Sequence, residues 1–134
     1  MKRFKIGTKS RDEMIDITSQ VQAYVDETAV QTGVCVVYIP HTTAGITINE
    51  NADPDVQHDI IEHLDQIIPW RARYFQHAEG NSAAHIKASL FGSSVNVIIE
   101  NGRLALGTWQ SVFFCEFDGP RTRNFLVKIL RDGE

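Results

Sequence analysis

The sequence predicts one α+β domain built mostly from antiparallel strands. Three observations predict it. Short β-branched and aromatic runs outnumber amphipathic helical stretches. Asn101-Gly102, the favoured two-residue hairpin turn, lies between two such runs. No GxGxxG opens a helix and no GxxxxGK[ST] occurs, so a doubly wound nucleotide-binding sheet is not signalled. The 134 residues suit one core, with no repeat or linker to divide them.

The elements follow in order. Residues 3–7 and MIDI, within 13–17, read as short strands. Thr18 offers an N-cap. Val21, Tyr24, Val25 and Thr28 to Ala29 then recur at helical spacing up to Gly33, a C-cap candidate. VCVVYI, residues 34–39, is a continuous apolar run and reads as a buried strand that stops at Pro40; ITIN, residues 46–49, is another strand. Asp53-Pro54 starts a helix, because the carboxylate caps free N–H groups and proline fits the first turn. Val56, Ile60, Leu64 and Ile67 or Ile68 give that helix one apolar stripe, and Pro69 ends it. Asn81 or Ser82 caps a short helix through Leu90, closed by Gly92. SVNVIIE (94–100), the run LALGTWQSVFFCEFD and RNFLVKIL supply the remaining strands.

Composition narrows the function. Hydrophobic residues at 43% and charged residues at 22% describe an ordinary globule. A net charge of -4 argues against a general nucleic-acid binder, since an acidic chain repels phosphate backbones. No apolar run approaches the roughly 20 residues that span a bilayer, and MKRFKIGTKS lacks the apolar centre of a signal peptide. A cytoplasmic protein with no membrane partner is expected. Cys35 and Cys115 sit in apolar runs without a CxxC and read as small buried hydrophobes.

The histidines divide into two groups. His58 and His63 fall on the polar side of the 54–68 helix, with Asp59 four residues before His63, and read as solvated. His41, His77 and His85 instead lie at element ends or in loops, among small residues. Three imidazoles at one locus suit a zinc-type ion with one open position. Capping and loop hydrogen bonds account for the same pattern. Two zinc signatures are missing: HExxH, and the PCxxC that accompanies HxE in deaminases.

Three further stretches are richer in polar groups than a surface requires. HTTAGITINEN (41–51) joins His41 to Asn49 and Glu50, and GTWQ (107–110) places Trp109 and Gln110 at a strand start. Trp109 reads as core, with a stacking platform as the alternative. DGPRTR (118–123) follows a strand with a carboxylate, a turn and two guanidiniums. Arg121 and Arg123 are expected to face opposite ways. One clamps a phosphate; the other is solvated or pairs with an acid, and is expected to tolerate lysine.

HTTAGITINENADPDVQHD, HAEGNSAAHIKASLFGSS and GTWQSVFFCEFDGPRTR, in this order and spacing, resemble the YjbQ family over nearly the whole chain. The resemblance implies a β-sandwich flanked by helices, one domain over residues 1–134, assembled as a homotrimer. It also implies a secondary thiamine-phosphate synthase activity, in which an aminopyrimidine methyl diphosphate condenses with a thiazole phosphate and loses pyrophosphate. His41, His77 and His85 then look like a divalent-metal site, zinc-like at the histidines, with magnesium able to arrive with the substrate. Small residues in GNSAAH leave room for the bound group.

Chemistry assigns the remaining roles within that resemblance. Arg121 and the metal stabilise the departing phosphate oxygens. N–H groups near Asn81 and Ser82 add donors. Glu50, Glu79 or Asp118 accepts a proton or a pyrimidine amine. Asn49, Trp109 and Gln110 complete the substrate contacts. A metal-dependent hydrolase and a non-catalytic ligand-binding trimer are the alternatives.

Overall fold

A computed structural model describes residues 1–133. The elements run β1 (Lys2–Gly7), β2 (Glu13–Asp16), α1 (Thr18–Thr28), β3 (Gly33–Tyr38), β4 (Ala44–Glu50), α2 (Pro54–Ile67), α3 (Ser82–Phe91), β5 (Ser94–Glu100), β6 (Arg103–Leu104), β7 (Gln110–Glu116) and β8 (Thr122–Arg131). They form two sheets, ordered β1-β8-β3-β5-β6 and β2-β7-β4, and every pairing is antiparallel. The expected α+β sandwich with flanking helices is therefore the observed architecture.

Alternation along the strands builds two apolar layers. Cys35 and Val37 of β3, Val97 and Ile99 of β5, and Phe125 and Val127 of β8 point inward from the larger sheet. They meet Ile46 of β4 and Val112 and Phe114 of β7, with Val21 and Val25 of α1 closing the side. The other face of β7 presents Phe113 and Cys115, which join Phe117, Ala84 and Ala88 in a second cluster under α3. Being central in its sheet and covered on both faces, β7 reads as an unbroken apolar run. Both cysteines are buried in these layers, and burial pushes the Cys35 thiol up to about 11.

The small residues before and within α3 serve this packing. Ala83 and Ala84 are wholly buried, so their size lets the helix backbone lie close to the sheet. Gly45 meets the end of the same helix: a Cβ there would sit 2.9 Å from the Gly92 carbonyl oxygen. Within GNSAAH the two alanines are thus accounted for by close packing, whereas Gly80 has open space around it and Asn81 and His85 line a cleft.

Several local expectations are refined. The N–H of Thr18 is capped by Asp16, while the Thr18 hydroxyl accepts from the Val112 N–H. Helix α1 ends at Ala29, which adopts the left-handed conformation, four residues before Gly33. Gly33 is needed instead where β3 meets β8, since a Cβ would collide with the Leu130 carbonyl oxygen. Asp53 caps α2 as expected, its Oδ1 accepting from the Asp55 N–H at 2.9 Å. No residue of α2 is fully buried, so its apolar stripe is only partly covered. Asn101 and Gly102 both take positive φ, as the hairpin turn requires. His58 and His63 are exposed, and Asp59 pairs with His58 rather than with His63. Trp109 is 63% exposed and so is not core.

A buried ion pair joins the two sheets at one end. Glu116 of β7 is 0% exposed and Arg123 of β8 is 4% exposed. Arg123 Nε donates to Glu116 Oε1 at 2.8 Å and its Nη2 donates to Oε2 and to Thr43 Oγ1. Thr8, at the end of β1, donates its hydroxyl to Glu116 Oε1, and the backbone N–H groups of Phe117 and Asp118 donate to Oε2. Burial by itself would raise the pKa of Glu116. The Arg123 fork, the Asp118 N–H and the Thr8 hydroxyl outweigh it and hold the carboxyl below its usual value. Arg123 is therefore the buried, acid-paired member of the two arginines, and the expectation that it tolerates lysine is corrected. Arg123→Leu strands a buried carboxylate and should destabilise the fold by about 3–5 kcal/mol. Arg123→Lys keeps the charge but loses the fork, and should cost about 1.5–3 kcal/mol. Urea titration of both variants measures these losses; midpoints equal to wild type would show that the network does not hold the sheets.

Candidate functional site

A cleft of about 640 Å³ opens over this ion pair. Its wall takes His41, Thr42 and Thr43 from the β3–β4 connection, Asn81 and His85 from the start of α3, and Asp118, Arg121 and Arg123 from the β7–β8 connection, with Glu79 at the rim. These groups meet because the sandwich brings the β3–β4 and β7–β8 connections to the same end. In register, Ala44 is opposite Glu116 at that end of the smaller sheet, and Glu50 is opposite Gln110 at the other.

That register separates the expected site residues. Asn49, Glu50, Trp109 and Gln110 lie at the far end of β4 and β7 and do not line the cleft. Six residues of strand put them about 20 Å away within one chain. Ser82 begins α3 but is not in the cleft wall. His41, Glu79, Asn81, His85, Asp118 and Arg121 are brought together. Thr42, Thr43 and the buried Arg123 join them, and sequence reasoning did not single out the two threonines. Glu116 left one signal there: it is a lone carboxylate in the apolar run FFCEF.

The three histidines are held differently. Pro40 has no N–H and falls opposite Asn124 when the β3–β8 register is continued. His41 takes over that role: its Nε2 lies 3.0 Å from the Asn124 N–H and 3.1 Å from the Asn124 carbonyl oxygen. Desolvation first, and then the positive charge of Arg123, lower the His41 pKa, so the ring is neutral near pH 7. The His77 and His85 rings meet edge to face with centroids 5.3 Å apart. His77 lies outside the main cleft, in a smaller hollow beside Trp70 and Phe75. Among the described residues no three His, Cys, Asp or Glu side chains are grouped to hold one metal ion. With His41 Nε2 committed to Asn124, the single chain does not present the expected three-histidine set.

Arg121 and Asp118 form the polar edge of the cleft. Arg121 Nε donates to the Asp118 carbonyl at 2.9 Å and Nη2 donates to Asp118 Oδ2 at 3.0 Å. The Arg121 side chain is 48% exposed, and its guanidinium keeps further N–H groups for a ligand. Asn81 Nδ2 donates to the same Asp118 oxygen at 2.8 Å. Asn81 thus occupies the N-cap position of α3 but makes no side-chain cap, and the first turn holds no acidic residue. The negative charge at this helix start comes from Asp118, outside the helix, and Asp118 is shared with Arg121.

Fold and site together define a small α+β domain with a polar cleft, lined by both carboxylates and guanidiniums, at one end of its sandwich. The family model for UPF0047 protein YjbQ-like sequences matches residues 2–132. UPF0047 protein YugU of Bacillus subtilis is 55% identical over 130 residues, covering 97% of this chain and 98% of that protein. A UPF0047 protein of Archaeoglobus fulgidus is 45% identical over 126 residues, covering 93% and 97%. A crystal structure of a YjbQ/UPF0047-family protein from Clostridium acetobutylicum superposes with a TM-score of 0.95 at 56% identity, covering 97% of this chain and 100% of that one. The chain belongs to the YjbQ (UPF0047) family. Among the described residues no helix is long and apolar enough to cross a membrane.

Neutral His41 has a consequence for stability. Its folded pKa lies below the ordinary 6.5. The unfolded chain therefore takes up a proton first as pH falls, and His41's contribution is full above pH 6.5 and lost as pH drops through the lowered folded value. His41→Gln removes this titration. Below pH 6.5 the melting temperature of the variant should fall less steeply than that of wild type. Parallel slopes in calorimetry between pH 7 and 5 would reject the assignment.

Proposed function

We propose that the cleft binds the phosphate-bearing end of a small molecule and that the protein is a secondary thiamine-phosphate synthase-like enzyme. One observation supports the reading most: the half-exposed Arg121 guanidinium, with N–H groups to spare, lines the same cleft as Asn81, the residue that opens α3. The planar fork of Arg121 matches anionic oxygens, and a helix start beside it favours them.

The reaction follows from charge. The bond from the methylene carbon of the aminopyrimidine methyl diphosphate to its oxygen breaks, and pyrophosphate leaves with the electron pair. Arg121 and the helix N-terminus stabilise the charge that grows on it. The thiazole nitrogen donates its lone pair to the carbon and becomes a cation. No proton leaves that nitrogen, so a general base is not required there. Glu79 and Asp118 then stabilise the developing positive charge, and Glu50, at the other end of the strand, is too distant within one chain to share that role. A divalent ion enters this reading as a companion of the diphosphate, because the histidines of one chain do not assemble a cage for it.

Assembly belongs to the same reading. The outer face of the larger sheet carries Val34, Val36 and Leu126, with Tyr38, Ile98 and Leu130 exposed at 45%, 65% and 51%. Asn96 and Lys128 flank Val36 on this face, but its exposed apolar side chains are of the kind that is normally covered. We propose that copies of the chain cover it in a homotrimer, the number three taken from the family resemblance. Sedimentation at micromolar concentration should show about three times 15.1 kDa. A 15.1 kDa species alone would reject it.

Arg121→Lys should leave the fold intact and weaken use of the diphosphate substrate. A lost charge-assisted hydrogen bond is worth about 1.5–3 kcal/mol, hence roughly tenfold or more in efficiency. Melts and product analysis decide. Thiamine phosphate formed more slowly at an unchanged melting temperature supports the synthase reading. Consumption of one substrate alone indicates a hydrolase, and tight binding with no product a ligand-binding trimer. An early melt with full specific activity would show that Arg121 only holds the Asp118 turn.

A further inference from the structure

Among the described residues, Asn81 Oδ1 is the one buried side-chain nitrogen or oxygen without a hydrogen-bond partner. The residue is 8% exposed and forms part of the cleft wall. Its amide orientation is set by chemistry: the group facing Asp118 Oδ2 must be a donor, so Nδ2 takes that side and the oxygen is left over. An N-cap asparagine ordinarily spends this oxygen on its own helix, and here it does not. Buried acceptors are rarely left unpaired, and where they are, the missing partner is a reason to look for a ligand.

The neighbourhood says which donor fits. Asp118 Oδ2 receives both Asn81 Nδ2 and Arg121 Nη2, so Asn81 and Arg121 flank one carboxylate oxygen. Asp118 Oδ1 has no hydrogen bond among the described residues. Two free acceptors therefore belong to side chains that touch each other, at the edge of the anion-receptive end. A hydroxyl offers one hydrogen to such a pair, whereas an –NH₂ group offers two.

We propose that Asn81 Oδ1, together with the free oxygen of Asp118, accepts the amine of a small molecule whose anionic group lies at Arg121. This rests on the phosphate-binding reading above and adds to it the residue that recognises the amino group. Binding needs a small turn of the Asn81 amide toward the cleft it already lines. Asn81 is then a specificity residue: it distinguishes ligands by their amine and adds nothing for ligands without one.

The test uses the full-length protein, isothermal titration and three probes. These are inorganic pyrophosphate, the aminopyrimidine methyl diphosphate, and its analogue with hydrogen in place of the amine. Wild type should bind the amino compound about tenfold or more tightly than the analogue. Asn81→Leu should lose most of that discrimination, the Asp118 oxygen alone holding the remainder. Asn81→Ser, whose hydroxyl can still donate to Asp118, should show the same reduction and serves if the leucine variant does not fold. Equal discrimination in wild type and the variants, or none in wild type, would overturn the assignment. Pyrophosphate separates the two levels: if it binds and Arg121→Lys weakens it, only the role of Asn81 has failed. If neither pyrophosphate nor either diphosphate binds wild type, the phosphate reading fails and the amine assignment with it.

Discussion

Between the two sheets, at the end where the cleft opens, a carboxylate and a guanidinium are removed from water together. Glu116 and Arg123 would each be expensive to bury alone. Their fork geometry, the Thr8 and Thr43 hydroxyls and two backbone N–H groups satisfy them jointly. The four side chains come from both sheets, so the pair fixes how the sheets meet as well as how far apart they stand. A hydrophobic seal at this end would have left the spacing to volume alone. Ionic pairing specifies direction too.

The cleft depends on that constraint. Its floor is Arg123, and its walls are the chain segments that leave the ion pair: Thr43 toward His41 on one side, Glu116 through Asp118 to Arg121 on the other. His41 then seals the strand edge that Pro40 abandons, hydrogen-bonding to Asn124 where main chain would otherwise do so. A ring with this task is a structural part of the wall, and its neutrality suits it to the task. The polar groups left free, on Arg121, Asp118 and Asn81, are those that the framework does not consume.

Helix α3 shows how packing and chemistry share one element. Its alanines lie against Phe113, Cys115 and Phe117, and Gly45 allows its C-terminal end to approach β4. The residue that opens the helix, Asn81, is thereby carried to the cleft wall beside Asp118. A second charged cluster steadies the far side of the helix. Lys87, 1% exposed, donates to Asp65 at 2.7 Å and to Asp12 at 3.3 Å, and Arg11 bridges both carboxylates while stacking on Trp70. Burial opposes ionisation of Asp65, but Lys87 and Arg11 outweigh it and hold its pKa below the usual range.

Much of this was legible in residue patterns. The apolar runs gave the strands, Asn101-Gly102 gave the hairpin, Asp53-Pro54 gave the start of α2, and the three long motifs gave the family. These signals are local, or depend on many residues in register, and tertiary context does not reverse them. Where each motif lies relative to the others was decided by the sheet register. Asn49, Glu50, Trp109 and Gln110 belong to the same motifs as His41 and Arg121, yet antiparallel pairing sends them to opposite ends of two strands. Burial also distinguished the arginines: the expectation that Arg121 and Arg123 face opposite ways fails, because residues two apart on an extended chain share a face, and both line one cleft, Arg123 buried at its floor and Arg121 half exposed at its edge. The sequence by itself determined the elements, the fold class and the family. Only the tertiary structure decided which polar groups share a cleft and which are spent holding it open, since that depends on distances set by strand pairing and by one buried ion pair.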